Sequence, residues 1–104
     1  MSKTYIPMNI RRTVLQATAE TCYICGQKNA LDIHHVTPEY ANGATTVGNL
    51  TPLCSNKLGQ LSCHVMAHNA YRIRERRKDV PLTPREYRHT LDMLRASVQG
   101  TEDY

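Results

Sequence analysis

His34 and His35 stand side by side, Asn49 follows, and His64 and His68 form an H-x3-H pair. These are the parts needed to hydrolyse a phosphodiester with one metal ion. The transition state of that reaction carries extra negative charge. A divalent ion neutralises charge on the scissile oxygen and stabilises the leaving alkoxide. A neutral imidazole with a pKa near neutrality can take the proton of the attacking water. An asparagine amide can fix the orientation of that imidazole by a hydrogen bond. Four cysteines bracket the set: Cys22 and Cys25 precede the histidine pair, and Cys54 and Cys63 follow it. Two interleaved ligand sets predict one ion for folding and one for chemistry.

A tetrahedral structural zinc takes four ligands from two short segments. Cys22-x2-Cys25 is one half, with Gly26 relieving backbone crowding just past the second thiolate. Cys54 and Cys63 are the other half, at a wider spacing that reflects an insertion over 55–62. Loops between ligands lengthen at small entropic cost, so the site survives if its ends converge. Two alternatives stand beside this. Cys54 could be a free buried thiol, with a histidine completing the site, or the knuckle could be a redox pair, although no βαβ pattern surrounds it.

The elements that must position these groups follow from periodicity and caps. Asn9 is expected to cap a helix running to about Glu20, with Ile10, Val14 and Ala17 on one stripe. Residues 31–37 read as a strand ended by Pro38, 39–48 as a loop and 49–54 as a second strand. Ser62 is the expected N-cap of a helix to about Lys78, stopped by Asp79-Val80-Pro81. Thr83-Pro84-Arg85-Glu86 is a capping box, opening a helix with Tyr87, Leu91, Leu94 and Val98 on its apolar stripe and Gly100 beyond its end. The tail from Thr101 is expected to fray.

On that second helix His64 and His68 share a face and can grip one ion. His34 and His35 are harder, because strand neighbours point to opposite faces. Both reach one site only if the strand ends or bulges there. Spacing does not say which is the ligand, and one of the two could be a purely structural histidine.

The 104 residues, 40% hydrophobic with no Trp and no Phe, allow one domain with a modest core that needs a staple. No secretory signal is visible and no stretch approaches a membrane span, so a cytoplasmic location with reduced thiols is the expectation. The net charge of +4 and pI of about 9.0 fit a polyanionic partner.

Cys22-Tyr23-Ile24-Cys25-Gly26, Leu31 to Pro38 around the histidine pair, Gly48 to Cys54, and Cys63-His64 to His68 together resemble an HNH endonuclease, in order and approximate spacing. The resemblance implies a small α+β fold. Its centre would be a ββα-metal (His-Me finger) core over about 22–78, carrying a structural zinc knuckle. An N-terminal helix at about 9–20 and a C-terminal helix at about 84–99 would flank that core within one domain, 1–104. It implies that His34, His64 and His68 hold a catalytic divalent ion (Mg²⁺, Mn²⁺, Ni²⁺ or Zn²⁺), as three histidines do in colicin nuclease domains. His35 would be the general base, Asn49 the residue that orients it, and Cys22, Cys25, Cys54 and Cys63 the ligands of a structural Zn²⁺. The implied substrate is double-stranded DNA, cut to 5′-phosphate and 3′-hydroxyl ends. The chain departs from the family at the last cysteine pair, normally C-x2-C. Small single-domain members are common in phage genomes near packaging genes. That association points to a phage terminase or other recruiting protein as partner, and to the bacterial or phage-infected cell as the setting.

For DNA, Arg72 continues the His68 face and is expected near a phosphate. Arg76 and the insertion residue Lys57 are further candidates, with solvated surface as their plainer reading. No base-reading element is recognisable, so low intrinsic sequence specificity is expected. A non-catalytic zinc module that binds nucleic acid would need neither His35 nor Asn49. A zinc deaminase is excluded, since no Glu follows a metal His at H-x-E spacing.

Overall fold

The centre of the molecule is an antiparallel pair of strands, β1 (Leu31–His35) and β2 (Leu50–Cys54), with His34 opposite Thr51 and Leu31 opposite Cys54. The computed structural model describes residues 5–55, 62–79 and 81–100. β1 alternates, and of its five residues only His34 is fully buried. β2 is buried along its whole length, because helices cover it on both sides. Pro52 is tolerated mid-strand since a two-stranded sheet has free edges, and its carbonyl accepts the Tyr23 N–H at 2.9 Å.

Helix α1 (Met8–Ala17) lies against β2 and closes a small cluster of Ile6, Val14 and Leu50. It differs from expectation at both ends. Pro7, with φ −57°, stands at the N-cap, so Asn9 lies inside the helix, where its carbonyl accepts from Thr13 Oγ1. At the other end the Thr18 hydroxyl bonds back to the Val14 and Leu15 carbonyls, and Ala19 and Glu20 take positive φ, so the helix stops at Ala17.

Helix α2 (Cys63–Lys78) begins at the expected cap, Ser62, which accepts from the Val65 N–H, and ends at left-handed Asp79. Helix α3 (Pro84–Gln99) carries the complete Thr83/Glu86 capping box and ends at left-handed Gly100. Its buried residues are Tyr87, Thr90 and Leu91, with Leu94 packed alongside. Val98 is exposed, so the apolar stripe ends a turn earlier than its periodicity implies. The main core joins Ile24, Leu53, Ala67, Tyr71, Leu82, Tyr87 and Leu91 to Cys22, Cys54 and Cys63. The order β1-β2-α2, flanked by α1 and α3, is the small α+β, ββα arrangement that the sequence points to.

Between the strands, residues 36–49 form a loop rather than more strand. Glu39–Ala41 and Val47–Asn49 are single 3-10 turns. Gly43 has no substitute there: a Cβ would lie 1.7 Å from the Thr37 carbonyl oxygen.

Candidate metal sites

The knuckle, the end of β2 and the first turn of α2 bring the four cysteines together, with their sulfurs all within 4.8 Å of one another. Left-handed Gly26 (φ 82°) turns the chain, and its N–H closes on the Cys22 carbonyl at 2.9 Å. Cys25 Sγ and Cys54 Sγ are 3.9 Å apart. Two thiolates about 2.3 Å from one tetrahedral ion stand about 3.8 Å apart, so the set has the right dimensions. The Cys63 N–H also points at Cys54 Sγ, at 3.3 Å. Burial, and then the charge of Cys22, push the Cys54 and Cys63 thiols up, so these groups cannot all ionise without a cation among them. All four expected ligands converge, despite the insertion. Lys57, within that insertion, lies outside the described residues.

A second set assembles between β1 and the first turns of α2. One turn of helix separates His64 and His68, whose Nε2 atoms are 3.1 Å apart. The His34 ring from β1 sits 5.4 Å from that of His64 and 5.3 Å from that of His68, between centroids. One nitrogen from each ring falls within 4.8 Å of the others. Nitrogens about 2.0–2.1 Å from one tetrahedral ion stand about 3.3 Å apart, which three imidazoles so placed can match. Burial, then His64 and His68, hold His34 well below its usual 6.5. Burial, then His64 and Arg72, lower His68. Both rings are therefore neutral, and able to ligate, at neutral pH. Among their neighbours, Tyr71 Oη lies 3.0 Å from His34 Nε2, and Asp32 Oδ2 lies 3.4 Å from His64 Nδ1.

His35 lines the same cleft as His34, His64 and His68, with Pro38, Glu39 and Tyr40 on its rim. Adjacent strand residues share it because β1 stops at His35; the next N–H, of Val36, bonds to the Asn49 carbonyl. The strand end anticipated from the sequence is thus present. The orienting bond is not the anticipated one. His35 Nε2 meets Thr45 Oγ1 at 3.0 Å. Both Asn49 amide hydrogens go to backbone, to Thr37 O at 3.0 Å and Ala44 O at 2.9 Å, while its Oδ1 accepts the Thr37 N–H at 2.9 Å. Asn49 therefore ties the two ends of the loop behind His35 and reaches the ring through the backbone.

Arg72 is exposed, and its charge is felt at His68 and Tyr40, next to the cleft. Arg76 is exposed farther along α2. Arg74 is committed to Thr90 Oγ1 at 2.9 Å. Glu75 accepts from the Tyr40 and Tyr87 hydroxyls. Three neighbours of the site were not singled out from the sequence. Tyr71 continues the stripe of His64 and His68 on α2, a spacing that could have found it. Thr45 and Arg88, which reaches the Gly48 carbonyl at 3.4 Å, arrive through loop and tertiary contacts that leave no local pattern.

The HNH endonuclease family model matches residues 22–70, a span that starts at the first cysteine and closes just after His68. Residues 22–70 belong to the HNH endonuclease family. The β1-β2-α2 unit of this HNH domain is the family's ββα-metal core. A search of curated proteins finds no significant match to the chain. Among the described residues, no helix is long and apolar enough to cross a membrane.

Proposed function

We propose that the whole chain is one HNH nuclease domain. It would hydrolyse phosphodiesters of double-stranded DNA, by nicking or double-strand cutting, with low intrinsic sequence specificity. The observation that carries this reading is the separation of two donor sets: four sulfurs in the core, and three imidazoles in an open cleft shared with His35. Thiolate donors suit a structural Zn²⁺. Imidazole donors suit a borderline ion such as Ni²⁺ or Zn²⁺ better than Mg²⁺, which prefers oxygen. A divalent ion bound by His34, His64 and His68 would neutralise charge on the scissile phosphate and the leaving oxygen.

The remaining roles belong to the chain's own residues. With Nε2 of His35 held by Thr45, Nδ1 is the nitrogen that takes the proton of the attacking water. Asn49 and Gly43 keep the loop behind it closed. Arg72 binds a backbone phosphate beside the cleft, and Arg76, four residues farther along α2, extends that contact. Lys57 is a further proposed phosphate contact. The family association with phage packaging makes a terminase-linked role inside a bacterial or phage-infected cell the proposed setting.

The test is incubation of zinc-loaded protein with supercoiled plasmid and Mg²⁺, Mn²⁺ or Ni²⁺. Nicked or linear products with 5′-phosphate ends, blocked by EDTA, support the reading. DNA binding without cleavage under any of these ions would favour a non-catalytic zinc module.

A further inference from the structure

We propose that Tyr71 and Asp32 are positioning residues that decide which ring nitrogen His34 and His64 offer to an ion shared with His68. The inference rests on reading the three histidines as one metal site. Counting protons carries it. Tyr71 Oη has a single hydrogen and donates it to the Val36 carbonyl at 2.8 Å. Towards His34 Nε2, 3.0 Å away, the same oxygen can only accept, so Nε2 carries the ring hydrogen. A neutral imidazole has one N–H, which leaves the lone pair on Nδ1. Both partners are buried, His34 at 3% exposure and Tyr71 at 0%, so water does not compete for the bond.

His64 is held in the opposite tautomer. Its Nδ1 lies 3.4 Å from Asp32 Oδ2, within ion-pair reach, and the negative carboxylate favours the ring hydrogen on the nitrogen nearest to it. The hydrogen therefore sits on Nδ1 and the lone pair on Nε2, the atom 3.1 Å from His68 Nε2. Asp32 and His34 alternate on β1. One strand thus supplies a ligand and the group that orients a second ligand on α2, while α2 returns Tyr71 to orient the strand's ligand. Removing such outer partners of metal-binding histidines costs about 10–100-fold in affinity.

The test uses protein with zinc at the cysteines and the histidine cleft metal-free. Proton–nitrogen correlation spectra of the rings should show hydrogen on Nε2 of His34 and on Nδ1 of His64. Tyr71→Phe keeps the ring packed against Tyr87 but removes the acceptor. Asp32→Ala removes a carboxylate that is half exposed, so it leaves the fold intact even if Tyr71→Phe does not. Each variant should mix the tautomers of its own histidine only, and weaken Ni²⁺ uptake by calorimetry about 10–100-fold. Asp32→Asn, which keeps an acceptor oxygen, should restore the His64 tautomer. Wild-type spectra with the opposite tautomers, or an Asp32→Ala protein with unchanged spectrum and Ni²⁺ affinity, overturn the inference and leave the metal site standing. Wild-type protein that takes up no Ni²⁺ at these rings overturns the site reading and the inference with it.

Discussion

Replacing Cys54 with Ala separates two accounts of why the molecule holds together. Cys54 is fully buried in the main core and sits 3.9 Å from Cys25 Sγ. If it is only a small apolar filler, losing one buried sulfur costs about 1 kcal/mol, which lowers the melting temperature of a domain this size by about 4–8 °C. If it is one of four ligands to a structural ion, the comparison changes. Apparent structural zinc binding is worth about 10–16 kcal/mol, against about 5–15 kcal/mol for the whole stability of a typical domain. The core has little in reserve, since three of the eleven residues in its main cluster are the proposed ligands Cys22, Cys54 and Cys63 themselves. Cys54→Ala is therefore expected to lose its zinc and its cooperative melt, and chelation of wild-type zinc should do the same. The assays are far-UV circular dichroism through a thermal ramp and metal content per chain. A Cys54→Ala protein that keeps one zinc and melts only a few degrees lower would refute the reasoning, leaving another residue as the fourth ligand.

Other expectations follow from the same geometry. His64→Ala should retain the cysteine-bound zinc and the fold, because His64 is only half-buried, but lose divalent-ion uptake at the cleft and plasmid cleavage; an unfolded variant would move His64 to the structural site. Asn49→Ala removes three backbone hydrogen bonds across the loop and should cost about 1–3 kcal/mol, with faster amide exchange over residues 37–48; full stability with lost activity would instead mean that the amide acts on the His35 ring directly. With the cleft metal-free, stability should fall as pH drops through 6.5, because the unfolded chain then takes up a proton that buried His34 refuses. The slope is about 1.4 kcal/mol per pH unit for each such proton, and His68 acts in the same direction. Denaturant midpoints that stay flat from neutrality to about pH 5 would contradict the assignment of His34 as a buried neutral ring.

Most of the residues that converge in the two clusters were legible because they depend on local spacing. Cys22-x2-Cys25 needs only a turn, and His64-x3-His68 needs only a helix. The α3 start was legible for the same reason: Thr83, Pro84 and Glu86 act within one turn. The start of α1 was misread because Asn9 is a good cap in isolation, whereas Pro7 sets the backbone two residues earlier. The pairing of His34 and His35 was ambiguous from alternation, and it is resolved one residue past His35, where the partner segment leaves the ladder at the Val47–Asn49 turn. Thr45 against His35 and Asn49 against Thr37 are products of the loop's path, which no periodicity encodes. Asp32 was visible as a neighbour of His34 along the strand, but its contact to His64 exists only once α2 docks.

The central claim is that His35 beside the three-histidine site performs hydrolysis. It is tested most directly by single-turnover plasmid cleavage with His35→Ala beside the wild type, both zinc-loaded and both shown by calorimetry to bind the same divalent ion equally well. The account predicts cleavage by wild type, none above background by His35→Ala, and unchanged DNA binding in both. Equal cleavage by the two proteins, or none by wild type with its cleft ion bound, would contradict it.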